Sequence, residues 1–304
     1  MSTLTHLKAA VERLTPLSLA ETSWDNVGTM VEPPRPHEPQ GPHRTVHICI
    51  DLTRPVVESA LADPSTTAIL TYHPPIFSGL KSLTLANPLQ RSLLECVANG
   101  IAVYTIHTAA DVAVDGTNDF MASNIISFCD TGATTWNLVR PGEGKGSRAI
   151  KEERNPPEGQ QGCGMGRIVD LKEVYTPNDL PTKEKVVNAV KATLDLKHLQ
   201  AAWSPTGPDE ISTIAICAGS GSSVLKNVEA DLYLTGEMGH HEILAANAKG
   251  IHVLCCNHTA TERPWLSHFA PRLESVLNEN LGEQEQYKYK VVVNEHDREP
   301  LQVV

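Results

Sequence analysis

The sequence predicts an α/β protein with two similar lobes, each a mixed β-sheet covered by helices. Its 304 residues exceed one ordinary hydrophobic core, and strand-like and helix-like segments alternate along it. The same order of segments also occurs twice: strand, helix, strand, helix and strand, followed by a histidine and an acid. The two copies end in HTAAD, from His107 to Asp111, and in HTATE, from His258 to Glu262. This internal repeat is the main evidence for two lobes.

The first lobe is predicted over residues 1–139. Apolar residues at helical spacing open it, and the turn motif SWDNVG follows at residues 23–28. The first copy of the repeat then runs through the strand TVHICIDL, a helix after Pro55, the strand TTAILTY, a helix from Pro88 and the strand IAVYTI. Two prolines follow His73, and because proline cannot continue a central ladder, they place His73 at the end of its strand.

A polar linker over residues 140–165, rich in glycine, proline, lysine and glutamate, is predicted to precede a second lobe over residues 166–304. In that lobe the strand GRIVDL and a helix over residues 179–195 come before the repeat. TIAICA, DLYLT and IHVLCCN then take the places of the three strands, and GHHEILAANAKG takes the place of the second helix. A helix bent at Pro271 and a final strand, YKYKVVV, complete the lobe.

Composition and charge restrict the classes of protein that the chain can belong to. A net charge of −11 disfavours direct binding of nucleic acid. No run of about 18 apolar residues suits a membrane span, and the N-terminus lacks the apolar stretch of a secretory signal. We therefore expect a cytoplasmic protein, with a mitochondrial location as the open alternative. The seven cysteines show no CxxC spacing and are expected to be buried thiols.

The histidine and the acid of each repeat copy are one helical turn apart, so both side chains reach one point if the segment turns helically. Imidazole and carboxylate groups bind zinc, manganese or iron, and a carboxylate can bridge two cations. A single pair of this kind is more often a capped turn, and a repeat could preserve a purely structural turn. The duplication favours a dinuclear site between the lobes, with the ligands His73, His107, Asp111, His258 and Glu262.

Six motifs together resemble the GTP cyclohydrolase I type 2 homologue family, also called the Nif-three-like family, over nearly the whole chain. They are SWDNVG, TYHPPIF, IHTAADVAVDGTND, GMGRIVDL, LYLTGEMGHHEI and NHTATE. The resemblance implies a two-lobed α/β fold, a dinuclear metal site between the lobes and a homo-oligomer, with a hexameric ring as one form. It also implies metal ligation by His73, Asp111, His258 and Glu262, with His107 at or near the site.

One departure from the family pattern bears on the metals. Many members of the family carry two adjacent histidines where this chain has Tyr72 and His73. One metal position would then lose a nitrogen ligand or take it from elsewhere. The filling of both metal positions is therefore an open question for this chain.

The first functional hypothesis is a metal-dependent hydrolase with two divalent metal ions. The metals would lower the pKa of a bound water for attack on an acyl, phosphoryl or ring carbon. The family name suggests a nucleotide substrate, and a phosphoester is the broader class. Asp111 and Glu262 are the catalytic candidates, one bridging the metals and the other binding one of them. The candidates for substrate contacts are Tyr72, Trp24, Asp25, Asn26, Glu237 and His240.

Two alternatives stay open at this point. The chain could be an interaction or regulatory protein with a protein partner, in which the metals only hold the lobes together; such a site has no open coordination position. It could also store or deliver metal, which requires reversible and weakly selective binding.

Overall fold

The computed structural model describes residues 2–132, 134, 146–282 and 285–304, which form two compact units with one β-sheet each. The first unit comprises Met1–Ala110 and Leu266–Arg298, and the second comprises Asp111–Trp265 and Glu299–Val304. Helices accompany both sheets, and both sheets contain parallel and antiparallel pairs. The predicted α/β class with mixed sheets is confirmed.

The first unit contains a five-stranded sheet. Its strands are β1 (Gly28–Val31), β2 (His43–Cys49), β3 (Thr66–Thr71), β4 (Ala102–Thr105) and β11 (Lys288–Val293), in the spatial order β1-β4-β3-β2-β11. The strands β2, β3, β4 and β11 are parallel, and β1 is an antiparallel edge strand. Three of the helices that accompany it are α1 (Thr3–Leu14), α2 (Arg54–Ala62) and α3 (Pro88–Ala98). Because β3 and β4 are parallel neighbours, the residues after them, His73 and His107, emerge at the same edge of the sheet.

Local sequence explains the first unit's helices. Ser2 caps α1, and Asn87 caps α3 by accepting hydrogen bonds from the backbone of Leu89 and Gln90. Proline occupies the first turn of both α2 and α3. A backbone N–H at this position has no acceptor within the helix, so the N–H that proline lacks is not missed. The helices α2 and α3 bury apolar side chains in a core with β2, β3 and β4. Its members include Val56, Ala60, Ile69, Leu93, Ile101 and Val103.

The second unit contains a six-stranded sheet. Its strands are β5 (Ser147–Glu152), β6 (Gly164–Asp170), β7 (Gln200–Ala202), β8 (Thr213–Ser220), β9 (Leu232–Glu237) and β10 (His252–Cys255), in the spatial order β5-β6-β8-β9-β10-β7. The helices are α5 (Thr117–Thr131), α6 (Lys183–Leu194), α7 (Ser222–Leu225) and α8 (His240–Ala248). The helices α4 (Thr108–Val112) and α9 (Arg263–Glu279) contain the chain positions at which the units change. The central strands β8, β9 and β10 are parallel, as the repeat predicts.

The core of the second unit forms mainly around α5 and α6. Its buried side chains include Met121, Ile125, Val186, Val190, Ile214 and Leu234. A buried ion pair also ties α5 to β6, with Arg167 Nε donating to Asp119 Oδ1 and both side chains fully buried. Such a pair requires complete hydrogen bonding. Nη1 of Arg167 donates to the carbonyls of Gly164 and Gly166, and Nη2 donates to Asp119 Oδ2 and to the carbonyl of Ala113.

The units differ from the lobes predicted at residues 1–139 and 166–304. The final strand, β11, belongs to the first unit because it pairs in parallel with β2 along its whole length. The helix α5 belongs to the second unit because its apolar face packs in the second core. Within the predicted linker, residues 140–145 lie outside the described residues, and β5 pairs antiparallel with β6. That pairing adds an edge strand to the second sheet.

Two expectations on composition can be compared with the structure. All seven cysteines lie in the described residues, none forms a disulfide, and all but Cys255 are buried. No helix in the described part of the chain has the length and apolar character needed to cross a bilayer.

Candidate metal centre

The first unit presents His73 directly after β3. Backbone hydrogen bonds from Tyr72 to Cys49 and from His73 to Ile50 continue the pairing with β2 until the prolines end it. The Nδ1 atom of His73 lies 3.0 Å from Oδ1 of Asp51, the residue that follows Ile50. The ring is therefore held in one orientation at the carboxyl end of the parallel strands.

Asp51 is itself positioned by a second carboxylate. The side chain of Asp297 accepts hydrogen bonds from the backbone N–H groups of Ile50, at 2.6 Å, and Asp51, at 3.3 Å. These bonds fix the chain where it leaves β2. The position of the His73 ring thus depends on Asp51 directly and on Asp297, near the C-terminus, through Asp51.

His107 follows β4 and takes a left-handed backbone conformation with φ of +32°. Its Nδ1 atom lies 2.6 Å from Oδ1 of Asp25, and the other carboxylate oxygen accepts a hydrogen bond from the hydroxyl of Thr108. The rings of His73 and His107 are close, with centroids 5.4 Å apart and planes at 83°. The first unit therefore brings two of the predicted ligands together.

The surroundings of Asp25 favour the ionised form of this carboxyl group beside His107. Burial raises that pKa, but the hydrogen bonds from His107 and Thr108 outweigh burial and hold the pKa of Asp25 below its ordinary value. An ionised carboxylate can only accept hydrogen bonds, so Nδ1 of His107 carries a proton. An imidazole that donates from Nδ1 in this way offers its Nε2 atom to a metal ion.

The second unit presents His258 and Glu262 on a single turn after β10. Residues Thr259–Thr261 form a 3-10 turn, which confirms the helical geometry that the spacing required. It brings Nε2 of His258 to 3.4 Å from Oε1 of Glu262, whose residue is only 3% exposed. The carboxylate of Glu299 accepts hydrogen bonds from the backbone N–H groups of Thr259 and Ala260 and so caps the turn.

Glu237, at the end of β9, orients His258. Its Oε2 atom lies 3.0 Å from Nδ1 of the imidazole. His258 therefore points Nε2 toward Glu262, as His73 and His107 point Nε2 away from their own carboxylates. All three histidines share the carboxylate–histidine arrangement that orients metal ligands in proteins.

Gly219 provides the space for this pair. Its φ is +61°, and a Cβ atom at this position would lie 2.6 Å from Oε1 of Glu262 and 3.0 Å from Nε2 of His258. Its backbone N–H donates to the hydroxyl of Thr261 at 2.8 Å, which ties β8 to the turn. Only glycine fits this close approach without displacing the two side chains.

Asp111 lies at the start of the second unit's chain, near the same strand. Its backbone carbonyl accepts a hydrogen bond from Nδ2 of Asn118, whose Oδ1 accepts from the backbone N–H of Ala218. Burial raises the pKa of the Cys217 thiol, and the charges of Asp111 and Glu262 raise it further. The negative charges of Asp111 and Glu262, the two predicted catalytic residues, therefore both affect Cys217 on β8.

The ligand set fits a divalent metal. His73 in the first unit, and His258 and Glu262 in the second, are possible metal ligands. Imidazole nitrogen combined with carboxylate oxygen suits zinc, manganese or iron, and the carboxylates offset the positive charge. The glycine cradle and the oriented histidines are further features that such a site requires.

The predicted substrate contacts differ in their exposure. Trp24 is half-exposed beside His107, and His240 is exposed at the first position of α8. Tyr72 is buried, with its ring edge-on to His73. Asn26 donates a hydrogen bond from Nδ2 to the carbonyl of Ile76.

Sequence reasoning missed four residues that shape the centre: Asp51, Gly219, Asp297 and Glu299. Glu299 and Asp297 follow the last strand and carry no motif of their own. The repeat did contain a signal for the first two, because TVHICID aligned with TIAICAG pairs Asp51 with Gly219. A mismatch of this kind at the end of a strand marks a position where the two copies perform different tasks.

The repeated α/β units, with histidine and carboxylate side chains at the carboxyl ends of parallel strands, define a class of α/β protein with a candidate metal centre. The chain matches the family described as Duf34/NIF3 (NGG1p interacting factor 3) over residues 2–300, and it belongs to that family.

Relatives and solved structures agree with this assignment. The Protein NIF3 homolog of Schizosaccharomyces pombe is 39% identical over 297 residues, covering 97% of this chain and 96% of the relative. The NIF3-like protein 1 of Drosophila melanogaster is 36% identical, covering 97% and 87% respectively. Among solved structures, a Bacillus cereus protein related to NIF3 matches with a TM-score of 0.71 at 19% identity, covering 99% of this chain and 98% of its own. The structural match supports the fold.

Proposed function

We propose that this protein is a metal-dependent hydrolase in which both halves of the repeat supply ligands to one dinuclear centre. The observation that carries the proposal is that His73, His107 and His258 each have Nδ1 beside a carboxylate. Asp111 and Glu262 complete the proposed ligand set. A phosphoester or nucleotide is the proposed substrate.

The chain's own residues have separate tasks in this proposal. Bound divalent metal ions would lower the pKa of a water ligand to near 7. Asp25, Asp51 and Glu237 keep the proton of each imidazole on Nδ1 and thereby direct Nε2 to the metals. Burial of Glu262, which is only 3% exposed, limits the access of competing water to its carboxylate.

The proposed substrate contacts fall into two groups. Trp24, Glu237 and His240 are accessible to solvent and are proposed to meet the substrate. Tyr72 is buried, and Asp25 and Asn26 already hold His107 and Ile76, so we propose that these three support the pocket wall.

Metal content tests the ligand set. Asp111→Ala and Glu262→Ala are expected to remove most of the bound metal while the fold is kept, as measured by elemental analysis and circular dichroism. The matched control is Glu58→Ala, which removes an exposed carboxylate paired with Arg54 on α2. Full metal content in both ligand variants would overturn the assignment.

Activity tests the reaction. Metal-loaded wild-type protein is expected to hydrolyse at least one compound in a panel of nucleotides and phosphoesters, and Glu262→Ala is expected to lose that activity. A panel without turnover by the metal-loaded protein, or equal turnover by Glu262→Ala, would contradict the hydrolase.

A second candidate function is protein interaction, with the metals in a structural role. Large apolar side chains in the segment at residues 77–89 are exposed, and they favour a protein contact. They are Phe77, Leu80, Leu83, Leu85 and Leu89. The family description and the NGG1-interacting factor 3 of Saccharomyces cerevisiae, 31% identical over 313 residues, carry the name of a partner interaction. A closed coordination shell on the bound metals would favour this function over hydrolysis.

Self-association is a further part of the proposal. A homo-oligomer, with a hexameric ring as one form, would cover the exposed leucines of this segment. Sedimentation velocity is expected to show a species larger than the 33.0 kDa chain. A monomer at all concentrations would contradict it.

A further inference from the structure

Two half-exposed aromatic side chains lie next to each other beside His107. Trp24 and Phe77 are each 53% exposed, and their ring centroids are 6.2 Å apart with planes at 44°. Both rings also meet the imidazole of His107 edge-on, at 6.0 Å and 6.5 Å. Trp24 and Phe77 are called the aromatic platform below.

The turn motif SWDNVG fixes the platform on both sides. Asp25, next to Trp24, holds His107 through the hydrogen bond to Nδ1. Asn26 donates from Nδ2 to the carbonyl of Ile76, the residue before Phe77. The two rings and the imidazole are therefore held by one turn, so a ligand would meet a preformed surface.

A planar ring fits this surface better than another shape would. Exposed indole and phenyl faces lose unfavourable hydration when a flat ring stacks on them, and stacking tolerates any base because each has a π-face. The chain on the Phe77 side also favours an anion. Residues 74–91 contain Lys81 and Arg91 and no acidic residue, in a chain with net charge −11.

We propose that the aromatic platform stacks the planar heteroaromatic ring of an anionic substrate and thereby sets the specificity of the centre at His107. The inference rests on the proposed hydrolase and narrows its substrate class to phosphoesters that carry such a ring. Trp24 and Phe77 act here as binding residues, and the ligands of the metal centre carry the chemistry.

Ring dependence of binding tests the proposal directly. Isothermal titration calorimetry on the metal-loaded full chain compares adenosine monophosphate with ribose 5-phosphate, which has the same phosphate and sugar but no ring. Adenosine monophosphate is expected to bind about tenfold more tightly, because its base stacks on the aromatic side chains and ribose 5-phosphate has no ring to stack. Equal dissociation constants for the two probes would overturn the proposal.

Variants locate the binding surface. Trp24→Leu and Phe77→Leu are each expected to weaken adenosine monophosphate about tenfold while ribose 5-phosphate binds as before. Trp24→Phe keeps a ring and is expected to retain most of the affinity. Trp203→Leu is the matched control, because Trp203 is 42% exposed and also meets a histidine edge-on, His252 at 5.2 Å.

Three results would contradict the platform. The first is an unchanged dissociation constant for adenosine monophosphate in both Trp24→Leu and Phe77→Leu. The second is a loss of affinity in Trp203→Leu as large as in those variants. The third is a change of sedimentation in Trp24→Leu without a change in binding. The last result would show that a second copy of the chain covers the rings. Unfolding midpoints of all variants exclude a general loss of structure as the cause.

Failure of the hydrolase proposal can be distinguished from failure of the platform. The same titrations are repeated on Glu262→Ala, whose substitution lies outside the platform. Ring-dependent binding in Glu262→Ala would show that the platform acts without catalysis, and ring-dependent binding by the metal-loaded wild-type protein without turnover of any compound would contradict the hydrolase and leave the platform. Turnover of ribose 5-phosphate at the same rate as adenosine monophosphate would contradict the proposed role of the platform and would be consistent with the hydrolase.

Discussion

The substitution Gly219→Ala adds one methyl group next to Glu262 and His258, and it therefore tests whether these two side chains bind metal. In Gly219→Ala, the new Cβ would lie 2.6 Å from Oε1 of Glu262, and ordinary contact begins at 3.4 Å. The oxygen must therefore retreat by about 0.8 Å, whereas metal–ligand distances tolerate only about 0.2 Å. Glu262 is 3% exposed and has little room to move. We expect the affinity for zinc or manganese to fall by about 10- to 100-fold.

The substitution also strains the backbone, and a matched variant separates that effect from the clash. The φ of Gly219 is +61°, where alanine costs roughly 1–2 kcal/mol of unfolding free energy. Gly132 caps the C-terminal end of α5 with φ of +72°, and no atom of the described residues lies within 4 Å of the position that a Cβ would take there. Gly132→Ala should therefore lose similar stability and keep the wild-type metal affinity.

Both quantities can be measured on the same preparations. Metal dissociation constants come from competition with a chromophoric chelator, and unfolding free energies come from urea titration of the metal-free proteins. If Gly219→Ala binds metal within twofold of Gly132→Ala, the geometric argument for a metal held beside Gly219 is refuted.

Three further expectations follow from buried and paired side chains. Asp51→Asn should weaken metal binding about tenfold in the same chelator competition, because the amide no longer holds the proton of His73 on Nδ1. Asp119→Ala should lower the urea unfolding free energy by about 3–5 kcal/mol, since it leaves Arg167 buried without its counter-charge. Burial lowers the pKa of His6 and His47 from 6.5, so the folded state binds fewer protons than the unfolded chain below that pH. Stability should then be full above pH 6.5 and fall on acidification, and urea titrations should show a shallower fall in His47→Gln.

The alternation of strands and helices could be predicted from the sequence because it depends on local periodicity. The β-branched runs at TVHICI and TIAICA, and the prolines after His73, report directly on strands and on their ends. The partner of an edge strand leaves no comparable signal. YKYKVVV is a strand wherever it pairs, and its place beside β2 depends on tertiary packing.

In the candidate site, too, the features that depend on local sequence could be predicted and those that depend on tertiary contacts could not. The pairs His107 with Asp111 and His258 with Glu262 are visible because their members are four residues apart. The carboxylates that orient the rings lie farther along the chain, with Asp25 separated from His107 by 82 residues. Contacts at that separation are made by the folded sheet, and a single sequence does not reveal them.

The two copies of the repeat place different chemistry at matched positions. The pairing of Cys49 with Thr71 in the first sheet and of Cys217 with Thr235 in the second sets a common register. In that register His73 corresponds to Glu237, so a proposed ligand in one copy stands where the other copy has a residue that orients a proposed ligand.

The same register matches Asp51 with Gly219. In the first copy, a carboxylate at this position holds His73 through Nδ1 of its ring. In the second copy, any side chain at this position would strike Glu262, and the task of orienting His258 passes to Glu237 on the neighbouring strand. The halves are therefore not interchangeable: Gly219→Asp would restore the first copy's sequence pattern and displace both ligands of the second.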